Sequence, residues 1–423
     1  MPNPLAERAI ARDGAEGSPR TVVLLTLTAT MTLGMLASTV YVPSIPSIAH
    51  ALDTSIARVQ FTFVGYLAAF AVGMLALGPL SDRYGRRRTL ICGLMLSVVS
   101  SIACAASPSI EFMIGARVAQ GIGACAGMVV GRASIRDIYG REGAAQVIAG
   151  IAIAMTLIQS FAPIPGGYLE VAIGWRANFV AVAIFAVVAL ALAVQHVPET
   201  REVQPAQSQS GAILVETILR GYRSLIRTRR FMSYALTATG SHAGFHIFAA
   251  GAPAVLISGF GVSPADYGYY AALPPIGFLV GSFVSNRMTR RLGADLLIGI
   301  GGMVLIPAGS VMIALAWLQI ASPYIIVGPM VLICCGSGLI TPNAVASGLG
   351  VNPGLVGAAS GLASFMQMAG AAATTAALSL GTSGNPLVLA IVIAGTGLFG
   401  VTAFASLAQL GSFPEEMKAR VGA

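Results

Sequence analysis

Three groups of residues in this 423-residue chain have types and spacings that can do chemistry. The first is Gly78-Pro-Leu-Ser-Asp82-Arg83-Tyr-Gly85-Arg86-Arg87-Arg88, a carboxylate among arginines set between two long apolar runs. Asp82 can accept bonds from the exposed amides at a neighbouring helix N-terminus and gain from its dipole. Arg83 and Arg86 to Arg88 are suited to pair with acids or lipid phosphates; Asp137 is the nearest acid by topology, flanked by Arg132 and Arg136. A plain cytoplasmic excess of arginine explains the basic residues, but not Asp82 with Gly78 and Gly85, so the stretch reads as a latch. The second group is His242 and His246, which at i and i+4 share one helix face, and imidazole is a side chain that can titrate in the physiological range. They can carry protons, bond substrate, or merely make an interhelical hydrogen bond; without a third protein ligand they make a poor metal site. The third is Arg117, within an apolar run, where a guanidinium costs at least about 2.5–3.5 kcal/mol on insertion scales and must face protein, water or substrate. A packing bond to backbone carbonyls is its plain alternative. Gln120, Gln159, Gln367 and Asn343 can add hydrogen bonds to a cavity, and Met155 adaptable apolar surface; each can equally be packing.

What must position these groups is a membrane protein. Hydrophobic residues make up 56% of the chain and charged residues 9%, with a mean hydropathy of +0.82, whereas a soluble domain carries roughly 25% charged residues. Stretches near the length that crosses a hydrocarbon core of about 30 Å fall at 22–42, 59–79, 89–107, 110–131, 144–166, 177–196, 232–254, 267–285, 296–318, 323–342, 355–380 and 386–408. Twelve helical spans are therefore expected, an all-α polytopic protein. Of the 24 basic residues, 21 fall on one face if the N-terminus is inside; Arg58 and Arg176 lie outside and Arg117 within a span. That asymmetry places both termini in the cytoplasm, and makes the net charge of +8 an orientation signal, not evidence for nucleic acid. All five cysteines fall within spans as small apolar residues, and no disulfide framework, zinc pattern or cofactor site is expected. No cleavage pattern precedes the first span, so no cleaved signal peptide is expected.

The expected divisions are a tail at 1–21, a six-helix bundle at 22–196, a linker at 197–230, a second bundle at 231–408 and a tail at 409–423. Within the linker, Ile213, Leu214, Ile218, Leu219, Tyr222, Leu225 and Ile226 recur at helical spacing with arginines interleaved. This reads either as an amphipathic helix on an anionic leaflet or as a solvated linker helix. The halves echo one another: Gly65-Tyr66, Ser81-Asp82-Arg83 and Arg86-Arg87 reappear as Gly268-Tyr269, Ser285-Asn286-Arg287 and Arg290-Arg291.

The repeated loop resembles the cytoplasmic signature of major facilitator transporters. Arg117-Val-Ala-Gln120-Gly121-Ile-Gly123 and Ala162-Pro163-Ile-Pro-Gly166-Gly167 resemble further signatures of twelve-span drug:proton antiporters. Tyr41-Val-Pro43-Ser-Ile-Pro46, Gly131-Arg132-Ala-Ser-Ile-Arg136-Asp137, Gly174-Trp175-Arg176, Pro342-Asn343-Ala344 and Gly357-Ala-Ala-Ser360 with Gln367 resemble the bicyclomycin-resistance-like (Bcr/CflA) subfamily. The resemblance implies two six-helix bundles around a central cavity, open alternately to either side of the inner membrane and exporting small molecules against a proton gradient. It also implies a coupling role for Arg117 and a cavity-facing span seven; a monomer is expected.

The chain departs from the subfamily where an Asp usually stands two residues before Tyr41; here the residue is Thr39. None of the sixteen acidic residues is expected near the bilayer centre, which leaves His242 and His246 as substitute proton carriers. A basic, acid-free centre favours neutral, zwitterionic or anionic substrates over cations. Antibiotics, secreted metabolites and siderophores all fit. No carboxylate pair, Ser/His/Asp arrangement or ligand set points to a membrane enzyme; an importer is the alternative among transporters.

Overall fold

The computed structural model describes residues 19–200, 220–381 and 384–409. Of the expected tails, 1–18, with Arg8 and Arg12, and 410–423, with Lys418 and Arg420, lie outside the described residues, as does the linker stretch 201–219, with Arg201, Ile213, Leu214, Ile218 and Leu219. Among the described residues every regular element is helical. In chain order the long helices are α1 (Thr21–Ala51, with a 3-10 turn at Val42–Ser44), α2 (Ile56–Tyr84), α3 (Arg86–Ala105), α4 (Ile110–Gly140), α5 (Gln146–Ile173) and α6 (Arg176–His196). Then follow α7 (Arg229–Gly259), α8 (Pro264–Leu292), α9 (Ala294–Trp317), α10 (Tyr324–Gly350), α11 (Val356–Leu380) and α12 (Pro386–Gln409). Ten are long and apolar enough to cross a membrane; α8 and α11, at 29 and 25 residues, have the length to do so.

Several helices outrun the apolar stretches that announce them. α2 continues to Tyr84, α4 to Gly140 and α8 to Leu292. An apolar scan measures the hydrocarbon thickness, whereas helical hydrogen bonding continues through charged residues that form helix well. Arg132, Arg136 and Asp137 fall beyond the apolar stretch 110–131, where the sequence leads one to expect a loop; all three lie on α4. The α2–α3 connection is Gly85 alone, at φ +96°, a conformation that favours glycine. Gly293, at φ +84° between α8 and α9, makes the same break in the second half.

Contacts divide the chain into two compact units. The first takes in α1 to α6 with residues 249–275 and 375–385; the second takes in the remainder of α7, α8 and α11 with α9, α10 and α12. In the first, α4 is held close by small residues: Gly121 lies against the Tyr66 carbonyl, Gly127 against the Thr30 carbonyl, and a Cβ on Gly123 would sit 2.7 Å from the Gly93 oxygen. In the second, α10 is seated alike, Gly338 against the Phe278 carbonyl and a Cβ on Gly336 2.7 Å from the Gly301 oxygen. Without a hydrophobic drive between helices in lipid, such close backbone contact is what holds them together.

Candidate functional site

The Arg117 side chain has 0% exposure. Its Nη1 donates to the Ala37 carbonyl at 3.0 Å and to Gln120 Oε1 at 2.5 Å. Ala37 is available because the first helical segment, Pro19–Thr39, stops there, leaving terminal carbonyls that attract a cation. Aromatic rings complete the cage. The guanidinium carbon lies 4.3 Å from the ring centres of both Tyr41 and Tyr66, and 5.9 Å from that of Phe179, where the negative ring faces attract it. The rings are fixed by their hydroxyls, Tyr66 donating to the Gly34 carbonyl at 2.7 Å and Tyr41 sharing a 3.2 Å bond with Thr62. Gln120 passes the network on to Ser101 at 2.8 Å. Among the described residues no carboxylate pairs with Arg117, and its Nε and Nη2 have no hydrogen-bond partner. Thr39 is buried and donates to its own helix, to Met35 at 2.9 Å.

A second cluster forms where α2 meets α3. Arg86, only 3% exposed, bonds Ser81 Oγ and Asp82 Oδ1, each at 2.5 Å, and Asp137 Oδ2 at 3.2 Å. The amides that open α3 are held by Glu199: Arg86 N donates to Oε1 at 2.8 Å and Arg87 N to Oε2 at 3.2 Å. A carboxylate there meets both unpaired donors and the positive end of the helix dipole. Thr200 donates to Asp137 at 3.1 Å, and Arg87 Nη2 to the Val194 carbonyl at 2.6 Å. The sequence motif therefore closes through Pro198-Glu199-Thr200, residues that marked only the start of a linker. Arg83 is exposed, its guanidinium 5.5 Å over the Tyr84 ring; Arg136 is exposed and Arg132 half-buried. A Cβ on Gly78 would meet open space.

The sequence pattern of the Major Facilitator Superfamily matches residues 27–375. The chain belongs to that superfamily. It is 31% identical to the MFS-type transporter YdgK of Bacillus subtilis over 60% of this chain and 63% of that protein, less than two thirds of its length. It is 30% identical to a chloramphenicol resistance protein of Pseudomonas aeruginosa over 74% of this chain and 73% of that one. Identity to a bicyclomycin resistance protein homolog of Haemophilus influenzae is 25%, over 78% and 81%. The fold is similar to the crystal structure of the peptide transporter POT in complex with sulfate, at TM-score 0.74 and 15% identity, over 96% of this chain and 98% of that one. As a major facilitator protein the chain is a multi-pass membrane transporter with the twelve-helix fold, and not an enzyme.

The other residues singled out in this facilitator's sequence are spread over α5, α7, α10 and α11. His242 and His246 stand on α7 with ring centres 4.7 Å apart, and the edge of Phe245 closes on His246 at 5.6 Å. His246 Nδ1 lies 3.5 Å from the His242 carbonyl, and His242 Nε2 is buried without a hydrogen-bond partner. Asn343 is engaged within the second unit: its amide donates to Ser285 Oγ at 2.7 Å and its oxygen accepts from Thr289 at 3.0 Å. Gln159 and Gln367 are half-buried. The span-five motif packs on α1 and on the start of α8: Gly166 lies against the Val40 carbonyl, Gly167 against that of Pro264, and Pro163 opens the second helical segment of α5. Asn178 ties that motif in, donating to the Gly166 carbonyl at 3.1 Å and Ser44 Oγ at 2.9 Å. Its signal in sequence is a lone amide in an otherwise apolar run, three residues after Trp175.

Proposed function

We propose that the chain exports a small neutral, zwitterionic or anionic molecule, a drug or a secreted metabolite, from the bacterial cytoplasm by proton antiport. The observation that carries this reading is the buried Arg117 guanidinium, answered by ring faces and neutral dipoles instead of a carboxylate. Such a centre keeps a positive potential that disfavours a cationic solute. Export draws support from the relatives named for resistance to chloramphenicol and bicyclomycin. In this reading the two bundles, 22–196 and 231–408, rock about a central cavity as a monomer with both termini in the cytoplasm. The Arg86 cluster latches the cytoplasmic side of the first bundle. His242 and His246, with no acid at position 39, take up and release the proton.

The test is efflux in inverted membrane vesicles across neutral, anionic and cationic compounds, with and without a proton gradient. Gradient-driven transport of a noncationic compound is expected, abolished in Arg117→Ala and in His242→Ala/His246→Ala. Flux indifferent to the gradient rejects antiport, and transport of cations alone rejects the charge argument.

A further inference from the structure

Charge in the second unit is one-sided. Arg220, Arg223 and Arg227, on a short helix over 220–227, and Arg229 and Arg230, which open α7, are all exposed. So are Arg287, Arg290 and Arg291 on the last turns of α8. The only carboxylate among the described residues of that unit, Asp295, is engaged by the Tyr234 hydroxyl at 2.8 Å. That bond joins the start of α7 to the start of α9, which follows directly on Arg291, so both arginine groups occupy one end of the unit. The short helix is anchored there by its apolar face: Leu225, 1% exposed, and Tyr222 pack with Phe231, Ala359 and Leu362. Its arginines at 220, 223 and 227 share the opposite face.

The same surface is also apolar in a patterned way. Ile226 is 53% exposed beside Arg227, and Phe283 is 61% exposed with the Arg287 guanidinium folded 5.1 Å above its ring. Arginines gathered at one end of the unit, with exposed apolar side chains beside Arg227 and under Arg287, match the boundary between headgroups and acyl chains. We propose that this face binds anionic phospholipid, its arginines on the headgroup phosphates and Ile226 and Phe283 turned toward the acyl chains. A soluble acidic partner would answer the charge but leave those two side chains without an apolar neighbour.

The experiment incubates the full chain in detergent with phosphatidylglycerol or phosphatidylcholine and counts retained lipid by native mass spectrometry. Wild type should retain phosphatidylglycerol several-fold in excess. The Arg220→Gln/Arg223→Gln/Arg227→Gln variant should lose that preference on the order of tenfold or more, whereas Arg58→Gln, in the other unit, should keep it. Should the triple variant not fold, raising salt to about 0.5 M should erase the wild-type preference by screening. Equal retention of the two lipids overturns the proposal. So does a preference that survives both the variant and the salt, or displacement of phosphatidylglycerol by an equal charge of soluble polyglutamate.

Discussion

A guanidinium with 0% exposure must have its charge answered by something, and at Arg117 the answer is built from neutral groups. Two tyrosine faces at 4.3 Å, a helix-end carbonyl and a glutamine oxygen hold the cation while leaving its net charge uncancelled. Introducing an acid at position 39, two residues before Tyr41 on α1, should cancel it. Thr39→Asp is expected to raise transport of cationic compounds relative to anionic ones by at least about tenfold, a difference of about 1.4 kcal/mol in discrimination, measured as a ratio of vesicle uptake rates. An unchanged ratio would detach substrate charge from Arg117. The arginine itself was legible in sequence, because one charge in an apolar run has few explanations. Its cage was not, because Tyr41, Tyr66 and Phe179 come from three helices and look like ordinary core aromatics until the packing brings them together.

At the scale of elements, the α2–α3 turn works because a distant segment completes it. Gly85 turns the chain at φ +96°, and Glu199 occupies the space a side chain there would need, with Oε2 2.5 Å from a Cβ. The carboxylate holds two amides that α3 cannot satisfy internally. Glu199→Ala is expected to lower thermal stability by about 1–3 kcal/mol and to increase labelling of a cysteine introduced at the end of α6, because the end of α6 then loses its hold on α3. Glu199→Gln, which keeps an acceptor but not the charge, should fall between; parity with wild type for both variants would make the contact incidental. The helices themselves were readable, since twenty-residue apolar runs leave little choice in a bilayer. Their ends were not, because Asp82, Arg132, Arg136 and Asp137 continue a helix as readily as they begin a loop, and the pairing of Glu199 with residue 86 spans more than a hundred positions that carry no local signal.

Across the whole molecule, the sequence echo between halves is matched by an echo in bonding that composition conceals. In the first unit Ser81 on α2 accepts from Arg86, which in turn holds Asp137 on α4. In the second unit the corresponding Ser285 on α8 accepts from Asn343 on α10, whose oxygen takes Thr289. Both units therefore tie their second helix to their fourth at the same serine, the first through charge and the second through a neutral amide. The two ties should respond differently to salt. Asp137→Asn should lower the melting temperature strongly at low ionic strength and less at about 0.5 M salt, because Asp137 is partly exposed and its pairing is screened over about 3–10 Å. Asn343→Leu should cost about 1–3 kcal/mol by stranding buried hydroxyls, and by the same amount at both ionic strengths. Melting curves of purified protein at the two salt concentrations decide it: parallel salt dependence in the two variants would mean that the serine contacts do not carry the ties, while a salt response confined to Asp137→Asn would assign one ionic and one neutral fastening to otherwise matching halves.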